Sequence, residues 1–193
     1  MSPKPLPKDV SCLCLVGSNQ KWLGMPSKDV VIETLRRFQE KNLYVRSLSR
    51  FYKTPAFPAG SGPDFANAAI EILFKGESDS LLEIFHSIEK EMGRKREKRW
   101  GERTVDIDLI SFDTMVFPDV AVQRSWVNLP LAEQMQKTPD RLIVPHPRMQ
   151  DRAFVLGPLM DIAPDWCHPL TGQTVRQMYE ALPEMDKAAL EIL

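Results

Sequence analysis

The sequence predicts an α+β fold, in which an antiparallel sheet is covered on one face by two helices and followed by further helices at the C-terminal end. Three observations predict it. Four segments have the apolar runs or the alternation typical of strands, and two others repeat apolar residues at helical spacing. Along the chain they follow the order strand, helix, strand, strand, helix, strand. This is the order of a split βαββαβ sandwich.

The composition is that of one globular domain. The chain has 193 residues, 43% of them hydrophobic, which is enough for a substantial core. Its net charge of -1 gives no global reason to bind nucleic acid or an anionic membrane, and no stretch is long enough to span a bilayer. We therefore expect a cytoplasmic protein with no nucleic-acid or membrane partner.

The first half of the chain places one helix between two strands. Residues 11–16 form an apolar run that ends in Gly17-Ser18-Asn19, where a strand turns into a loop. Ser27 is placed to cap a helix that ends near Lys41-Asn42. The apolar positions of this helix are Val30, Val31, Thr34, Leu35 and Phe38. Residues 43–52 alternate as a second strand, and the proline-rich residues 53–64 form a candidate binding loop.

A third strand, a second helix and a fourth strand follow. Residues 66–74 form the strand, and Ser78 begins the helix, which Gly93 ends. Residues 105–112 supply the fourth strand and complete the order of a ferredoxin-like sandwich. For residues 115–140 we expect a flap, a short helix or both. Further helices are expected over about 153–162 and from near Thr174.

Two aspartates in the fourth strand form a candidate metal site. Asp106 and Asp108 are two residues apart, so a strand directs both carboxylates to one face, with alpha carbons about 6.5 Å apart. Their repulsion is relieved by a cation, and Mg²⁺ is usually bound by one or two carboxylates plus substrate phosphates. An edge strand with a solvated acidic face is the alternative reading of the pair.

A basic segment precedes the aspartates. Residues 93–104 contain four arginines, two lysines and Trp100. Arginine binds phosphate oxygens in a bidentate manner, and a tryptophan offers a flat face for a ring. A solvated basic loop is the alternative. Carboxylates for a metal and arginines for phosphates, within about fifteen residues of one another, favour a nucleoside triphosphate site.

Residues 99–110, Arg-Trp-Gly-Glu-Arg-Thr-Val-Asp-Ile-Asp-Leu-Ile, resemble the signature of the 6-hydroxymethyl-7,8-dihydropterin pyrophosphokinase family of folate biosynthesis. Four further matches stand in the family's order: Gly17-Ser18-Asn19, Phe51-Tyr52-Lys53-Thr54-Pro55, Asp64-Phe65-Ala66-Asn67-Ala68 and Val144-Pro145-His146-Pro147. The resemblance covers roughly residues 12–178. It also implies a ferredoxin-like core, in agreement with the strand order.

The resemblance implies a magnesium-dependent diphosphotransferase. ATP, the co-substrate, would give its terminal diphosphate to the hydroxymethyl group of the dihydropterin, releasing AMP. Asp106 and Asp108 match the residues that hold two Mg²⁺ ions, and together with Arg94 and Arg96 they are the catalytic residues that the resemblance implies. The partners are then small-molecule substrates alone, and we expect a monomer.

The resemblance also assigns two sets of binding residues. The ATP-binding set consists of Glu89, Arg94, Arg96, Trp100, Arg103, Leu109, Arg141, His146 and Arg152. The pterin-binding set consists of Thr54, Pro55, Phe57, Phe65, Asn67, Trp100 and Phe154. A flat heterocycle suits aromatic faces and an amide that both donates and accepts. Each of these residues also has an ordinary role as core, turn or loop residue.

The chain departs from the family pattern in three places. It is about twenty residues longer between Phe112 and Arg141 than a compact member, Glu102 replaces a proline found in some relatives, and Ile143 lacks a hydroxyl. We expect a flexible extension over residues 1–10 and a single pyrophosphokinase domain over 11–193, with an insertion at about 113–140. The insertion's role is open: it could cover the site or form an interface.

Two other classes of function remain as alternatives. A nucleic-acid-binding module would explain the basic segment with its tryptophan, but the aspartates would repel phosphates without a metal. A regulatory ligand-binding domain of the same fold would need no catalysis. Replacing Asp106 or Asp108 by alanine separates the classes, because diphosphate transfer should fall by orders of magnitude whereas a pure binding module should keep its function.

Overall fold

The structure is a computed structural model, and it describes residues 9–56, 60, 62–94, 103–130, 133 and 136–193. The strands are β1 (Val10–Ser18), β2 (Tyr44–Leu48), β3 (Tyr52–Thr54), β4 (Phe65–Phe74), β5 (Asp106–Phe112) and β6 (Glu191–Ile192). The helices are α1 (Ser27–Glu40), α2 (Ser78–Glu91), α3 (Val120–Val127), α4 (Ala153–Ile162), α5 (Val175–Glu180) and α6 (Glu184–Ala188). No helix of the described residues is long and apolar enough to cross a membrane.

One antiparallel sheet contains all six strands of the described residues. Its order is β5-β1-β4-β3-β6, and β2 pairs with the same edge of β4 as β3 does. The predicted fold class is therefore confirmed. The prediction of a single strand over residues 43–52 is wrong. The chain stops pairing with β4 between β2 and β3, so two strands form instead. There Ser49 bridges the break, since its hydroxyl accepts the Ala69 N–H and its own N–H donates to the Ala69 carbonyl, both at 2.9 Å.

The helices pack on both faces of the sheet. On the first face α1 and α2 enclose a core in which Phe38 and Phe85 stack at 5.6 Å. The C-terminal helices bury the second face, where Leu13, Leu15 and Ile110 pack against α4 and α5. The predicted C-terminal helices thus form a second layer over the sheet rather than a peripheral addition.

The helix ends agree with the sequence prediction except at α1. Ser27 was predicted as its cap, but Pro26 occupies that position and no side chain bonds to the free N–H groups. Gly93 follows α2 with a φ of 76°, a conformation that favours glycine. Thr174 caps α5 in a reciprocal capping box with Gln177.

Of two further elements near the site, the short helix α3 agrees with one of the alternatives predicted for residues 115–140, whereas β6 was not predicted. The insertion contains α3, which Asp119 caps by accepting the Val122 N–H at 2.9 Å. At the C-terminal end, β6 pairs with β3, and the Leu193 N–H donates to the Phe51 carbonyl at 2.9 Å. Both elements lie beside the cavity described below.

Candidate active site

One cavity of about 860 Å³ gathers the predicted site residues. This volume is in the range of small-molecule sites. Every predicted site residue that the structure describes lines it: Thr54, Pro55, Phe65, Asn67, Glu89, Arg94, Arg103, Asp106, Asp108, Leu109, Arg141, His146, Arg152 and Phe154. The predicted residues Phe57, Arg96 and Trp100 lie outside the described residues.

The two aspartates stand on the same face of β5, as the spacing predicts. The alternating Ile107 and Leu109 pack into the core with α1 and α2, so Asp106 and Asp108 face the opposite side, toward the C-terminal helices. Both are partly buried. Burial, reinforced by the charge of Asp106, raises the pKa of Asp108 to about 7. Burial therefore disfavours a second negative charge beside Asp106.

Two arginines pair with Asp106. Arg94 Nη1 lies 2.7 Å from Asp106 Oδ1, and Arg103 pairs with the other carboxylate oxygen. Arg94 also pairs with the buried Glu89, whose carboxylate accepts the Ile107 N–H at 3.0 Å. Burial raises the pKa of Glu89, and the charge of Arg94 opposes the rise. Glu89 thus joins the end of α2 to β5 and fixes Arg94 beside the aspartates.

Asn19, from the Gly-Ser-Asn motif, positions the segment that carries Arg103. Its side-chain oxygen accepts the Arg103 N–H at 2.8 Å, and its side-chain amide donates to the Pro63 carbonyl at 3.2 Å. Asn19 is buried. The first loop therefore connects the candidate phosphate-binding residues with the proline-rich loop.

We call the inner end of the cavity the group formed by Thr54 and Pro55 at the end of β3, Phe65 and Asn67 on β4, and Phe154 on α4. The buried Asn67 donates its amide to the Thr54 hydroxyl at 2.7 Å. Phe154 begins α4, and the Arg152 guanidinium lies 5.4 Å from the centre of its ring. The inner end thus combines an amide, a hydroxyl and two aromatic rings.

His146 is held in its neutral form. It lines the same cavity as Arg94, Arg103, Asp106 and Asp108, which we call the charged centre. Burial, with the positive charges of Arg152 and Arg148, lowers its pKa to about 3. Its Nδ1 accepts the Arg148 N–H at 3.1 Å, so the proton of the neutral ring belongs on Nε2. Its backbone N–H donates to the Ile110 carbonyl of β5 at 2.8 Å. His146 can therefore donate one hydrogen bond without carrying a charge.

Several residues that line the cavity were missed from the sequence. Trp126 and Lys137 come from the insertion, and Asp186 and Leu190 come from the C-terminal segment. In the sequence, no pattern distinguishes these four residues from ordinary surface residues. Within the described part of the chain, no cluster of three or more His, Cys, Asp or Glu side chains is placed to hold a metal.

Comparisons with known proteins agree on one family. The model of the 7,8-dihydro-6-hydroxymethylpterin-pyrophosphokinase family (HPPK) matches residues 13–164. A 2-amino-4-hydroxy-6-hydroxymethyldihydropteridine pyrophosphokinase of Methylorubrum extorquens is 36% identical over 140 residues, which are 72% of this chain and 73% of the relative. The enzyme of that name from Synechocystis is 35% identical over 136 residues, 70% of this chain but only 59% of the relative.

A solved structure shows the same fold. The wild-type HPPK-DHPS of Plasmodium falciparum superposes with a TM-score of 0.62 at 16% identity, covering 92% of this chain and 45% of that one. At this identity the likeness concerns the fold alone. The match spans less than half of the Plasmodium chain.

Proposed function

The chain belongs to the 7,8-dihydro-6-hydroxymethylpterin-pyrophosphokinase family, and we propose that it transfers the terminal diphosphate of ATP to 6-hydroxymethyl-7,8-dihydropterin in folate biosynthesis. In this reaction the hydroxymethyl oxygen forms a bond to the β-phosphorus. The bond from that phosphorus to the oxygen bridging to the α-phosphate breaks, and AMP leaves with the electron pair. One observation carries the proposal: a single cavity contains the aspartate pair, its arginines and the amide-and-aromatic inner end.

The chemistry of the donor set fits magnesium. Asp106 and Asp108 offer hard oxygen ligands, and a cation bound there would favour the charged form of Asp108, which burial disfavours. We propose that these two residues hold two Mg²⁺ ions together with the phosphates of ATP. When bound, the metal would neutralise charge on the transferring phosphates.

Arg94 and Arg103 are proposed to bind the phosphates. Both arginines pair with Asp106, and a cation bound by the aspartates would release them to the phosphate oxygens. Because Glu89 holds Arg94 from the other side, this arginine stays in place when its partner changes. The two arginines therefore neutralise whichever negative group occupies the centre.

We propose that the inner end binds the pterin. The Thr54 and Asn67 side chains offer donors and acceptors to the edge of the ring, while Phe65 and Phe154 offer apolar surface.

The remaining residues are proposed for ATP. Neutral His146 would donate from Nε2, Arg152 would add positive charge, and the exposed Arg141 stands at the rim, where it pairs with Asp140 at 3.3 Å.

Other parts of the proposal rest on the sequence. Arg96 remains a predicted ligand of ATP, Trp100 of both ATP and the pterin, and Phe57 of the pterin. A single domain over residues 11–193, action as a monomer and a cytoplasmic location also remain predictions. The insertion, counted as residues 113–140, shares the cavity through Trp126, which supports its inclusion in this domain.

The experiment is incubation of the protein with ATP, Mg²⁺ and 6-hydroxymethyl-7,8-dihydropterin. We expect AMP and the dihydropterin diphosphate in equal amounts, and no product after chelation of the metal. The same incubation without pterin controls for ATP hydrolysis. Release of ADP in place of AMP would mean transfer of a single phosphate and would refute the proposal.

A further inference from the structure

The insertion forms one wall of the substrate cavity. We call the outer end of the cavity the group Leu82, His86, Trp126, Leu142 and Ile143, which comes from α2, α3 and the segment before His146. The same elements also contribute Glu89, Lys137, Pro139 and Arg141 to the lining. Strand β5 is the edge of the sheet, and the inner end lies on the side of β4 and β3. The aspartates of β5 therefore stand between the two ends.

Helix α3 is anchored to the segment that carries His146. The fully buried Gln123 donates its amide to the Pro145 carbonyl at 3.3 Å. The backbones of Phe117 and Val144 exchange two hydrogen bonds of 2.8 and 3.2 Å. His146 itself is bonded to β5. These contacts hold α3 at a fixed position relative to the charged centre.

Trp126 lies on the inward face of α3. It is three residues after the buried Gln123, and residues at this spacing share one side of a helix. Trp126 is half-buried and lines the cavity, whereas its neighbours Arg124 and Ser125 are exposed. The tryptophan thus retains open surface on the side of the cavity.

The chemistry of the outer end suits a flat uncharged ring. Its members are one indole, one imidazole and three aliphatic side chains. Of the charged lining residues from the same elements, Glu89 pairs with Arg94, and Lys137 and Arg141 are cations. The centre, in contrast, carries the charges that phosphates and their cation require. When the phosphates of a nucleotide lie at the charged centre, its base must lie at one end of the cavity. Because we assign the inner end to the pterin, the outer end remains for the base.

We infer that Trp126 contacts the base of the nucleotide and that α3 is a nucleotide-binding element of this chain. The inference rests on the proposed function for the assignment of the two ends. Contact between a base and an aromatic side chain commonly changes the affinity by about 5- to 150-fold, which corresponds to about 1–3 kcal/mol.

The test separates binding of the base from binding of the phosphates. Two ligands are titrated by calorimetry in the presence of Mg²⁺: α,β-methylene ATP, which cannot transfer its diphosphate, and inorganic tripolyphosphate, which has no base. We expect Trp126→Ala to weaken α,β-methylene ATP about tenfold and to leave tripolyphosphate within about twofold. Trp126→Phe should restore most of the affinity, because it keeps an aromatic face.

Arg124→Ala is the matched control, since Arg124 lies on the exposed side of the same helix. It should bind both ligands as the unaltered protein does. Equal weakening of both ligands by Trp126→Ala would show that the residue only supports the structure, and unchanged binding of α,β-methylene ATP would show that it does not contact the base. Either result would overturn the inference. Failure of the unaltered protein to form AMP would instead refute the proposed reaction, which these titrations do not measure.

Discussion

Gly17 lies directly opposite Asn67 in the ladder of β1 and β4, and a methyl group on Gly17 would come within 2.5 Å of the Asn67 side-chain oxygen. The Asn67 side chain can lie this close to the backbone of β1 only because glycine has no side chain. Asn67 is buried and reaches in the other direction to Thr54. The glycine of the first loop motif therefore makes room for the amide that we assign to the pterin.

Gly17→Ala should weaken pterin binding without unfolding the protein. The added methyl group would displace the end of the Asn67 side chain from Thr54, at the cost of roughly one hydrogen bond, or about tenfold in the dissociation constant. Calorimetry with the dihydropterin measures this change. In a double-mutant cycle, Gly17→Ala should have little further effect in an Asn67→Ala background. Additive effects would show that the glycine acts by another route.

Asp108→Asn should abolish transfer while stabilising the ligand-free protein. At about 6.5 Å, the spacing of their alpha carbons in a strand, two carboxylate charges repel by about 0.6–2.6 kcal/mol, depending on the effective dielectric constant. Removing one charge should therefore raise the melting temperature by about 2–4 °C for each kcal/mol relieved. AMP formation should fall by about 10² or more, as when a single charge-stabilising group is lost.

Asp165→Asn is the control for that variant. The Asp165 side chain is 87% exposed and far from the aspartate pair in the sequence, so both readouts should match the unaltered protein. An Asp108→Asn protein that forms AMP at the normal rate would exclude Asp108 as a metal ligand.

Asp161→Asn should destabilise the protein near neutral pH but not in acid. Asp161 ends α4 and accepts hydrogen bonds from the Arg50 side chain, at 2.6 and 3.1 Å, and from Tyr52, at 3.0 Å. Burial alone would raise the pKa of Asp161, but these bonds outweigh it and lower the pKa. Since Arg50 is largely exposed, we expect a loss of about 1–2 kcal/mol in unfolding free energy.

The pH dependence follows from the direction of that shift. A folded-state pKa below the unfolded value of about 3.9 means that the contribution is complete above that pH and is lost as the pH falls through the folded pKa. Urea unfolding of both proteins between pH 2 and 7 should therefore show a difference that vanishes at the acid end. A difference independent of pH would mean that the charge of Asp161 is not its source. Tyr52→Phe, which removes one bond only, should give a smaller loss.

Leu190→Ala should affect both stability and the cavity. Leu190 packs so closely on α4 that a methyl group on Gly157 would meet it at 2.4 Å, and it also lines the cavity. Because it is only partly buried, we expect a loss of about 1–2 kcal/mol, below the usual range for fully buried leucines. Pterin affinity should fall as well. Met185→Ala, at a position 80% exposed, should change neither, and an equal effect of the two substitutions would contradict a specific role for Leu190.

Most of the core fold was predictable because its signals are local. The spacing of Val30, Thr34 and Phe38 predicts the inward face of α1, and the structure buries all three. The predicted bounds of α4 agree with Ala153–Ile162. The break between β2 and β3 was not predictable, because Ser49 replaces ladder bonds through a side-chain contact with Ala69, which is distant in the sequence. Strand β6 is too short to show an alternating pattern.

The candidate site divides in the same way. Asp106 and Asp108 could be placed on one face from their spacing, and the motif residues Asn67 and His146 were assigned through the resemblance. The pairing of Arg94 with Glu89 and Asp106 was not predicted, since it depends on where the end of α2 meets β5. Trp126 and Leu190 were missed because each reaches the cavity from a segment outside the family's motifs.

The sequence by itself determined the order of the core elements, the common face of the two aspartates and the motifs that carry the resemblance. These depend on periodicity and on residue type within short segments. Only the tertiary structure decided that the insertion and the C-terminal segment share the cavity, that the C-terminal helices bury the second face of the sheet, and that His146 is held neutral. Burial and charge depend on residues far apart in the chain, so no local pattern contains them.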